Sequence, residues 1–221
     1  IIVCSMTPYS REGKYLEQAL KKGTTTVGLV VSEGVVLAAD KRATTGYFIA
    51  HKHAKKILKL TDRMAITISG VVADAQAIAD TLRGYIKYYQ LTAKRPLKVR
   101  GVASIASTII FASRAFPILV QLIIAGYDDA PRIYSVDWFG TITEEKSFVT
   151  GSGSPIASGV IEAEYREDLS LEEAVRLAVK AVSSALKRDA ASGEGIDVVK
   201  ITSKKYEEVP KDEIDKILHS L

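Results

Sequence analysis

The sequence predicts an α+β fold in which two antiparallel sheets stack face to face and helices cover their outer faces. Its candidate elements follow the order strands, two helices, strands, two helices, strand. The strand candidates are short apolar runs bounded by turn residues, whereas the helix candidates carry apolar residues three and four positions apart. The 221 residues suit one domain over residues 24–221 with a large core, preceded by an extension over residues 1–23.

The first half of the chain is predicted to hold the extension, a group of strands and two helices. Met6–Gly13 has the composition of a loop, and Lys14–Lys22 is expected to form a short helix that Gly23 terminates. The predicted strands are Thr25–Val31, Val35–Ala39, Tyr47–Ala50, Ile57–Leu60 and Met64–Ser69, and the predicted helices are Ala73–Gln90 and Val99–Phe111. The first helix is expected to bury the stripe Ala73, Ala77, Ile78, Leu82, Tyr85 and Ile86.

The second half repeats the pattern of strands followed by helices. Gly151-Ser152-Gly153-Ser154 predicts a tight loop that opens a helix, and Ser170-Leu171-Glu172-Glu173 fits a capping box at the start of the clearest helix. The predicted strands are Ile118–Ala125, Arg132–Val136, a region over Thr141–Thr150 and Asp197–Ile201, and the helices are Pro155–Tyr165, the helix behind Ser170 and Pro210–Leu218. Asp189–Gly195 is expected to be a loop.

Composition argues against several classes of function. Lys and Arg are spread along the chain although the formal net charge is +4, so we expect no nucleic-acid binding. No apolar stretch is long enough to cross a bilayer. The single cysteine, Cys4, rules out an intrachain disulfide and suits a reducing, cytoplasmic compartment. The histidines lack zinc-site spacing and the 151–153 loop lacks a nucleotide motif's lysine, so we expect no metal and no cofactor.

The segment Gly23-Thr24-Thr25-Thr26 stands at the start of an apolar run and offers a specific chemistry. Cleavage after Gly23 gives Thr24 a free amino group, and an amine of pKa near 8 beside a threonine hydroxyl can accept its proton. The alternative is ordinary β structure, in which threonine is common.

Six other positions are candidates for the same chemistry, and each also has a purely structural interpretation. Asp40 is equally typical of a strand end, Lys56 of a solvated surface and Ser152 of a helix start. Asp189 and Ser192 fit turn chemistry. Gly70 ends a strand and leaves an N–H that can point at a ligand.

Six separated segments occur together in a specific order and spacing. They are residues 23–28 (GTTTVG), 34–44 (GVVLAADKRAT), 54–57 (AKKI), 69–76 (SGVVADAQ), 151–154 (GSGS) and 187–193 (KRDAASG). With these segments the chain resembles the β subunits of the 20S proteasome, of the archaeal type, over Thr24 to about Ile201. The resemblance implies the fold of the N-terminal nucleophile (Ntn) hydrolases, a four-layer αββα sandwich.

The resemblance also implies a catalytic role for each candidate. Thr24 is the nucleophile, and its freed amine is the general base. Lys56, as an ammonium held by Asp40, lowers the pKa of the Thr24 hydroxyl. The residues that hydrogen-bond around the Thr24 amine are Ser152, Asp189 and Ser192, and the oxyanion donor is the N–H of Gly70.

A substrate site is implied in the same way. Its residues are Ala43, Thr44, Ala54, Leu58, Ile68 and Val72. They are uncharged and mostly apolar, so we expect cleavage after large hydrophobic residues, a chymotrypsin-like preference.

Two hypotheses follow for the function. The first is a threonine endopeptidase subunit that cleaves itself between Gly23 and Thr24 and then degrades unfolded proteins. The second is a non-catalytic ring subunit, or an assembly precursor, that keeps residues 1–23. The first is favoured by the presence of Asp40, Lys56, Asp189 and Ser192, because a structural subunit has no need of them. The implied partners are other β subunits in a seven-membered ring, an α ring, and an ATPase ring that acts through the α ring.

Overall fold

The computed structural model describes residues 23–45, 48–115 and 117–221, and two five-stranded antiparallel sheets form its centre. The strands are β1 (Thr26–Val31), β2 (Gly34–Asp40), β3 (Ala43–Thr45), β4 (Phe48–His51), β5 (Ile57–Thr61), β6 (Met64–Gly70), β7 (Val120–Tyr127), β8 (Pro131–Val136), β9 (Ile142–Glu145), β10 (Ser147–Thr150), β11 (Ile196–Thr202) and β12 (Tyr206–Glu208). The first sheet has the order β10-β1-β2-β11-β12 and the second β5-β6-β7-β8-β9, while β3 and β4 pair as a separate hairpin.

Five helices in the described ranges cover the outer faces of the two sheets. They are α1 (Val72–Ala93), α2 (Val99–Ala112), α3 (Ser154–Glu164), α4 (Leu171–Leu186) and α5 (Lys211–His219). Apolar side chains of α1 and α2 pack on the second sheet, and those of α3, α4 and α5 pack on the first. A third apolar cluster, with Leu37, Ile123 and Ile133 at its centre, lies between the sheets. The expected four-layer αββα sandwich is therefore confirmed.

Local signals explain the best-defined helix. Ser170 caps α4 through a reciprocal capping box, in which its side chain accepts from the Glu173 N–H and the Glu173 carboxylate accepts from the Ser170 N–H. The stripe Ala174, Val175, Ala178, Val182 and Ala185 is fully buried against the first sheet. Periodicity and capping thus act together, as the sequence predicts. In the described part of the chain, no helix is both long and apolar enough to cross a membrane.

Several expectations need correction. The strand region expected over Thr141–Thr150 is two strands in different sheets, β9 and β10, separated by Lys146 alone. On α1, Ala73, Ala77 and Tyr85 are exposed, because the buried stripe runs through Ala75, Ile78, Ala79, Leu82 and Ile86 instead. The short strands β3 and β12 were not expected. The loop and helix expected over residues 6–22, and Tyr47 in its expected strand, lie outside the described residues.

One end of the sandwich collects all the segments that carry the candidate residues. Thr26 at the start of β1 pairs with Ala39 near the end of β2 and with Thr150 at the end of β10. Asp40, at the end of β2, pairs with Ile196 at the start of β11. Because neighbouring strands are antiparallel, a strand start and its partner's end meet at the same rim. The loops at this rim therefore form one cluster.

Candidate active site

Thr24 lies two residues before the start of β1 and is almost buried, with 4% of the residue exposed. Its hydroxyl donates to the carbonyl oxygen of Gly23 at 2.6 Å, and its N–H donates to the Ser152 hydroxyl oxygen at 3.2 Å. A peptide bond joins Gly23 to Thr24, so this nitrogen is an amide and has no basic lone pair. The geometry is that of the chain before any cleavage at this bond.

Lys56 and Asp40 form a buried ion pair beside the same carbonyl. The Lys56 ammonium lies 2.7 Å from Asp40 Oδ1 and 3.4 Å from the Gly23 carbonyl oxygen, and the two side chains are 3% and 0% exposed. The Asp40 carboxylate also accepts from the backbone N–H groups of Thr25, Arg42 and Gly193, at 2.9, 3.1 and 3.0 Å. These four contacts fix the carboxylate, and with it the lysine head group.

Burial changes the acid–base behaviour of Lys56. Desolvation lowers the pKa of the Lys56 amine below its usual value, and the nearby Arg42 guanidinium acts in the same direction. The Asp40 carboxylate opposes this shift through its charge and its hydrogen bond, and Asp189 opposes it more weakly. Lys56 therefore loses its proton more readily than a lysine in water. Its amine also contacts the Gly23 carbonyl oxygen, which accepts from the Thr24 hydroxyl.

Asp189 is the centre of a second group of hydrogen bonds. Its Oδ2 atom accepts from the hydroxyls of Ser152 at 2.5 Å and Ser192 at 2.6 Å. Ser192, which is 1% exposed, is also 2.8 Å from the Thr25 hydroxyl. Of the three residues expected around the Thr24 amine, only Ser152 contacts the Thr24 nitrogen directly in the described part of the chain. Asp189 is linked to that nitrogen through Ser152, and Ser192 is linked to it through Asp189 and Ser152.

The glycines of the 151–154 loop explain how this loop approaches so closely. Gly151 has φ +95°, which favours glycine, and a Cβ there would overlap the Thr24 carbonyl oxygen. A Cβ on Gly153 would overlap the Thr25 hydroxyl and come within 2.9 Å of Ala185 Cβ. Without side chains, the loop places its Gly153 N–H 3.3 Å from the Thr24 carbonyl oxygen. Positions 151 and 153 therefore need glycine for the loop to lie this close to Thr24 and Thr25.

Gly70 and Thr44 lie beside this cluster, whereas the side chains of Leu58 and Ile68 belong to the apolar core between the second sheet and its helices. Gly70 ends β6 with φ +116°, and the hydroxyl of its neighbour Ser69 is 3.2 Å from the position of a Cβ on Gly151. Ala43, Thr44, Ala54 and Leu58 are partly exposed; Ile68 is buried and Val72 exposed. Thr44 also contacts Gly23, since its hydroxyl accepts from the Gly23 N–H at 3.4 Å.

Two residues of the site have no role in the sequence analysis. Arg42 donates to the Ala190 carbonyl at 2.8 Å, and its guanidinium pairs with Glu194 at 3.1 Å. It therefore braces the loop that carries Asp189 and Ser192. Thr25 is the second, because it contacts both Asp40 and Ser192. Only adjacency to Thr24 could have indicated it. Within the described ranges, no group of three or more His, Cys, Asp or Glu side chains could hold a metal ion.

Comparison with known proteins identifies the family of the chain. The family model described as "Proteasome subunit" matches residues 20–201. The chain is 56% identical over 192 residues to "Proteasome subunit beta 2" of Aeropyrum pernix, covering 87% of this chain and 88% of that protein. It is 48% identical over 194 residues to "Proteasome subunit beta 1" of Saccharolobus islandicus, covering 88% and 92%. The chain belongs to the proteasome subunit family and is strongly similar to archaeal β subunits.

Proposed function

We propose that this chain is a threonine endopeptidase subunit of the 20S proteasome core, activated by its own cleavage between Gly23 and Thr24. One observation carries the proposal. The Thr24 hydroxyl lies 2.6 Å from the Gly23 carbonyl oxygen, and the Lys56 head group contacts that same oxygen at 3.4 Å. The hydroxyl nucleophile and a titratable lysine therefore both contact the carbonyl group of the bond to be cut, in a buried position.

Self-cleavage follows from these contacts. The Thr24 hydroxyl oxygen attacks the Gly23 carbonyl carbon, the C–N bond breaks, and an ester forms on the threonine while its nitrogen becomes an amine. Water then hydrolyses the ester and releases Gly23 as a carboxylate. The hydroxyl proton needs an acceptor that the Thr24 amide cannot be. Lys56, whose pKa is lowered by burial, fits that role and passes the proton to the Thr24 nitrogen as the C–N bond breaks, so that the nitrogen leaves as an amine.

Once Thr24 carries a free amine, the same groups serve the hydrolysis of other peptides. The amine lies next to Ser152 and can take the hydroxyl proton directly or through a water. Lys56 and Asp40 provide a fixed charge pair beside the reacting oxygen. The Gly70 N–H is the proposed oxyanion donor, and loss of such a donor costs on the order of 100- to 1000-fold in kcat.

The proposed substrates are unfolded polypeptides cleaved after large hydrophobic residues. The apolar character of Ala43, Ala54, Leu58 and Ile68 supports this preference. Selectivity is expected to be loose, because one methylene in an apolar pocket is worth only about 1–3 kcal/mol. The proposed setting is a cytoplasmic particle with seven-membered β rings, α rings and an ATPase ring that acts through them.

Intact mass and peptidase activity of the assembled particle test the proposal together. Wild type is expected to lose residues 1–23 and to cleave peptides with a large hydrophobic residue before the cut. Thr24→Ala is expected to assemble, to keep residues 1–23 and to be inactive. Thr26→Val is the matched control, because Thr26 is an equally buried strand threonine whose hydroxyl contacts Thr150 and Thr67 instead. Peptidase activity in unprocessed wild type would contradict the mechanism.

A further inference from the structure

We propose that the hydroxyl of Thr25, the residue after the nucleophile, is a positioning group that donates to Ser192 and thereby sets the strength with which Asp189 acts on the Thr24 nitrogen. This inference rests on the proposed function and adds a residue to it. Thr25 is fully buried, and its hydroxyl lies 2.8 Å from the nearly buried hydroxyl of Ser192.

The direction of each hydrogen bond in this group follows from counting protons. A carboxylate only accepts, so Ser192 and Ser152 each spend their single hydroxyl proton on Asp189 Oδ2, at 2.6 and 2.5 Å. The Ser152 hydroxyl is also 3.4 Å from the Thr24 carbonyl oxygen, but the shorter contact takes the proton. Ser192 must then accept from Thr25, and Ser152 must accept from the Thr24 nitrogen.

The result is a chain of hydrogen bonds that converges on one carboxylate from two sides. On one side, Thr25 donates to Ser192, which donates to Asp189. On the other, the Thr24 nitrogen donates to Ser152, which donates to the same Asp189 oxygen. Hydrogen bonds in such a chain polarise one another. Removal of the first donor therefore weakens the Ser192 contact and leaves more charge on the Asp189 oxygen facing Ser152.

Thr25 also joins this group to the ion pair. Its backbone N–H donates to Asp40 Oδ1 at 2.9 Å, the atom that receives the Lys56 ammonium. Thr25 thus contacts the Asp40 carboxylate through its backbone N–H and is linked to the Asp189 carboxylate through its hydroxyl and Ser192. Gly153 keeps this side chain in place, since a Cβ there would overlap the Thr25 hydroxyl.

The expected effect concerns the pH dependence of hydrolysis. Charged groups on the segments that form this network are Asp40, Lys41, Arg42, Lys56, Lys187, Arg188, Asp189 and Glu194. All of them are unchanged in Thr25→Val, which removes a hydroxyl and keeps the branched shape. More negative charge on the Asp189 oxygen stabilises the protonated Thr24 amine through Ser152. The acid limb of kcat/KM against pH is therefore expected to move by a few tenths of a unit to higher pH.

The experiment compares four assembled particles: wild type, Thr25→Val, Thr25→Ser and Thr26→Val. Thr25→Val is expected to lose about 2- to 10-fold in kcat at neutral pH, the range of one ordinary hydrogen bond, and to show the shifted acid limb. Thr25→Ser keeps the donor and is expected to restore the wild-type profile. Thr26→Val loses a buried hydroxyl that is outside this chain of hydrogen bonds, and it is expected to leave the profile unchanged.

Each outcome bears on the inference. Self-cleavage that fails in Thr25→Val but proceeds in Thr26→Val also supports it, because the Thr24 nitrogen contacts the same chain of hydrogen bonds before cleavage. Identical pH profiles for Thr25→Val and Thr26→Val, or equal failure of both to process, overturn it and leave the proposed function standing. Peptidase activity in Thr24→Ala overturns both.

Discussion

At Gly23, the absence of a side chain is a spatial requirement of the cleavage segment. A Cβ there would overlap the Cβ of Ala191 and lie 2.6 Å from two Ala191 backbone atoms. Gly23 therefore lets the Asp189–Gly193 loop and the cleavage segment approach each other. In this arrangement the Gly23 carbonyl contacts the Thr24 hydroxyl and Lys56.

Gly23→Ala is therefore expected to slow self-cleavage by at least about 10-fold, because the displaced carbonyl leaves its aligned position. The double variant Gly23→Ala with Ala191→Gly is expected to stay slow, since the Cα and carbonyl carbon of residue 191 remain 2.6 Å from the new Cβ. Intact mass over time after assembly measures both. Wild-type processing of Gly23→Ala would show that this contact does not constrain the carbonyl.

Lys56→Arg separates two roles of the buried cation. Arginine keeps the positive charge but cannot become neutral, so it can hold Asp40 and cannot accept a proton. If Lys56 is the base for self-cleavage, Lys56→Arg is expected to slow processing by about 100-fold or more. In wild type, the processing rate is expected to rise with pH as Lys56, with its lowered pKa, loses its proton.

The matched control is Lys55→Arg. Lys55 is the preceding residue, its side chain is 58% exposed, and it pairs with Glu208 at the surface. Processing at the wild-type rate is expected there. Equal, normal processing in both arginine variants would show that a fixed positive charge suffices at position 56.

The sequence predicted some residues of the site and missed others, for a physical reason. Thr24, Asp40 and Lys56 stand at strand ends in recognisable segments, so resemblance could point to them. The contacts of Thr25 and Arg42 depend on which loops meet at the rim of the sandwich. Neither hydrophobic periodicity nor turn chemistry encodes that meeting, and both residues have ordinary interpretations in the sequence alone.

At the scale of elements, local signals predicted helices better than strand partners. The capping box and apolar stripe of α4 are visible in the sequence, and both occur in the structure. The division of residues 141–150 between two sheets is not visible, because period-2 patterning looks the same in either sheet. The predicted buried stripe of α1 was also wrong at Ala73, Ala77 and Tyr85. Alanines are too common along that helix to mark its buried side.

Ser170→Ala tests the contribution of the capping box to stability. The change removes the acceptor for the Glu173 N–H and is expected to lower the free energy of unfolding by about 1 kcal/mol. Ser104→Ala is the control: Ser104 lies inside α2, is exposed, and bonds only to its own helix at the Arg100 carbonyl. It is expected to be neutral or slightly stabilising. Equal effects in denaturant unfolding would contradict a specific role for the cap.

At the scale of the whole molecule, two partly buried phenols are expected to lower stability at alkaline pH. Burial raises the pKa of Tyr165 to about 12, and it also raises the pKa of Tyr206. Below pH 10 both are neutral in the folded and unfolded chain. Above pH 10 the unfolded phenols lose protons while the folded ones keep them, so the free energy of unfolding decreases as pH rises towards 12.

Denaturant unfolding between pH 7 and 11.5 measures this decrease. Tyr165→Phe is expected to be less stable at pH 7, since the Tyr165 hydroxyl donates to the Val30 carbonyl at 2.7 Å. It is also expected to lose less stability than wild type above pH 10, because one titrating group is gone. A slope equal to that of wild type would exclude Tyr165 as a contributor.

The crossing of the chain from one sheet to the other at Lys146 has a mechanical consequence. This crossing lies away from the rim that carries Thr24, since Ser147 pairs with Leu29 while Thr150 pairs with Thr26. The Val30 N–H also bonds to the Lys146 carbonyl at 2.8 Å. The two sheets are thus connected through a single residue at the end far from Thr24. Amide hydrogen exchange is expected to be slower at that end than at the rim that carries Thr24, where an incoming peptide would need room.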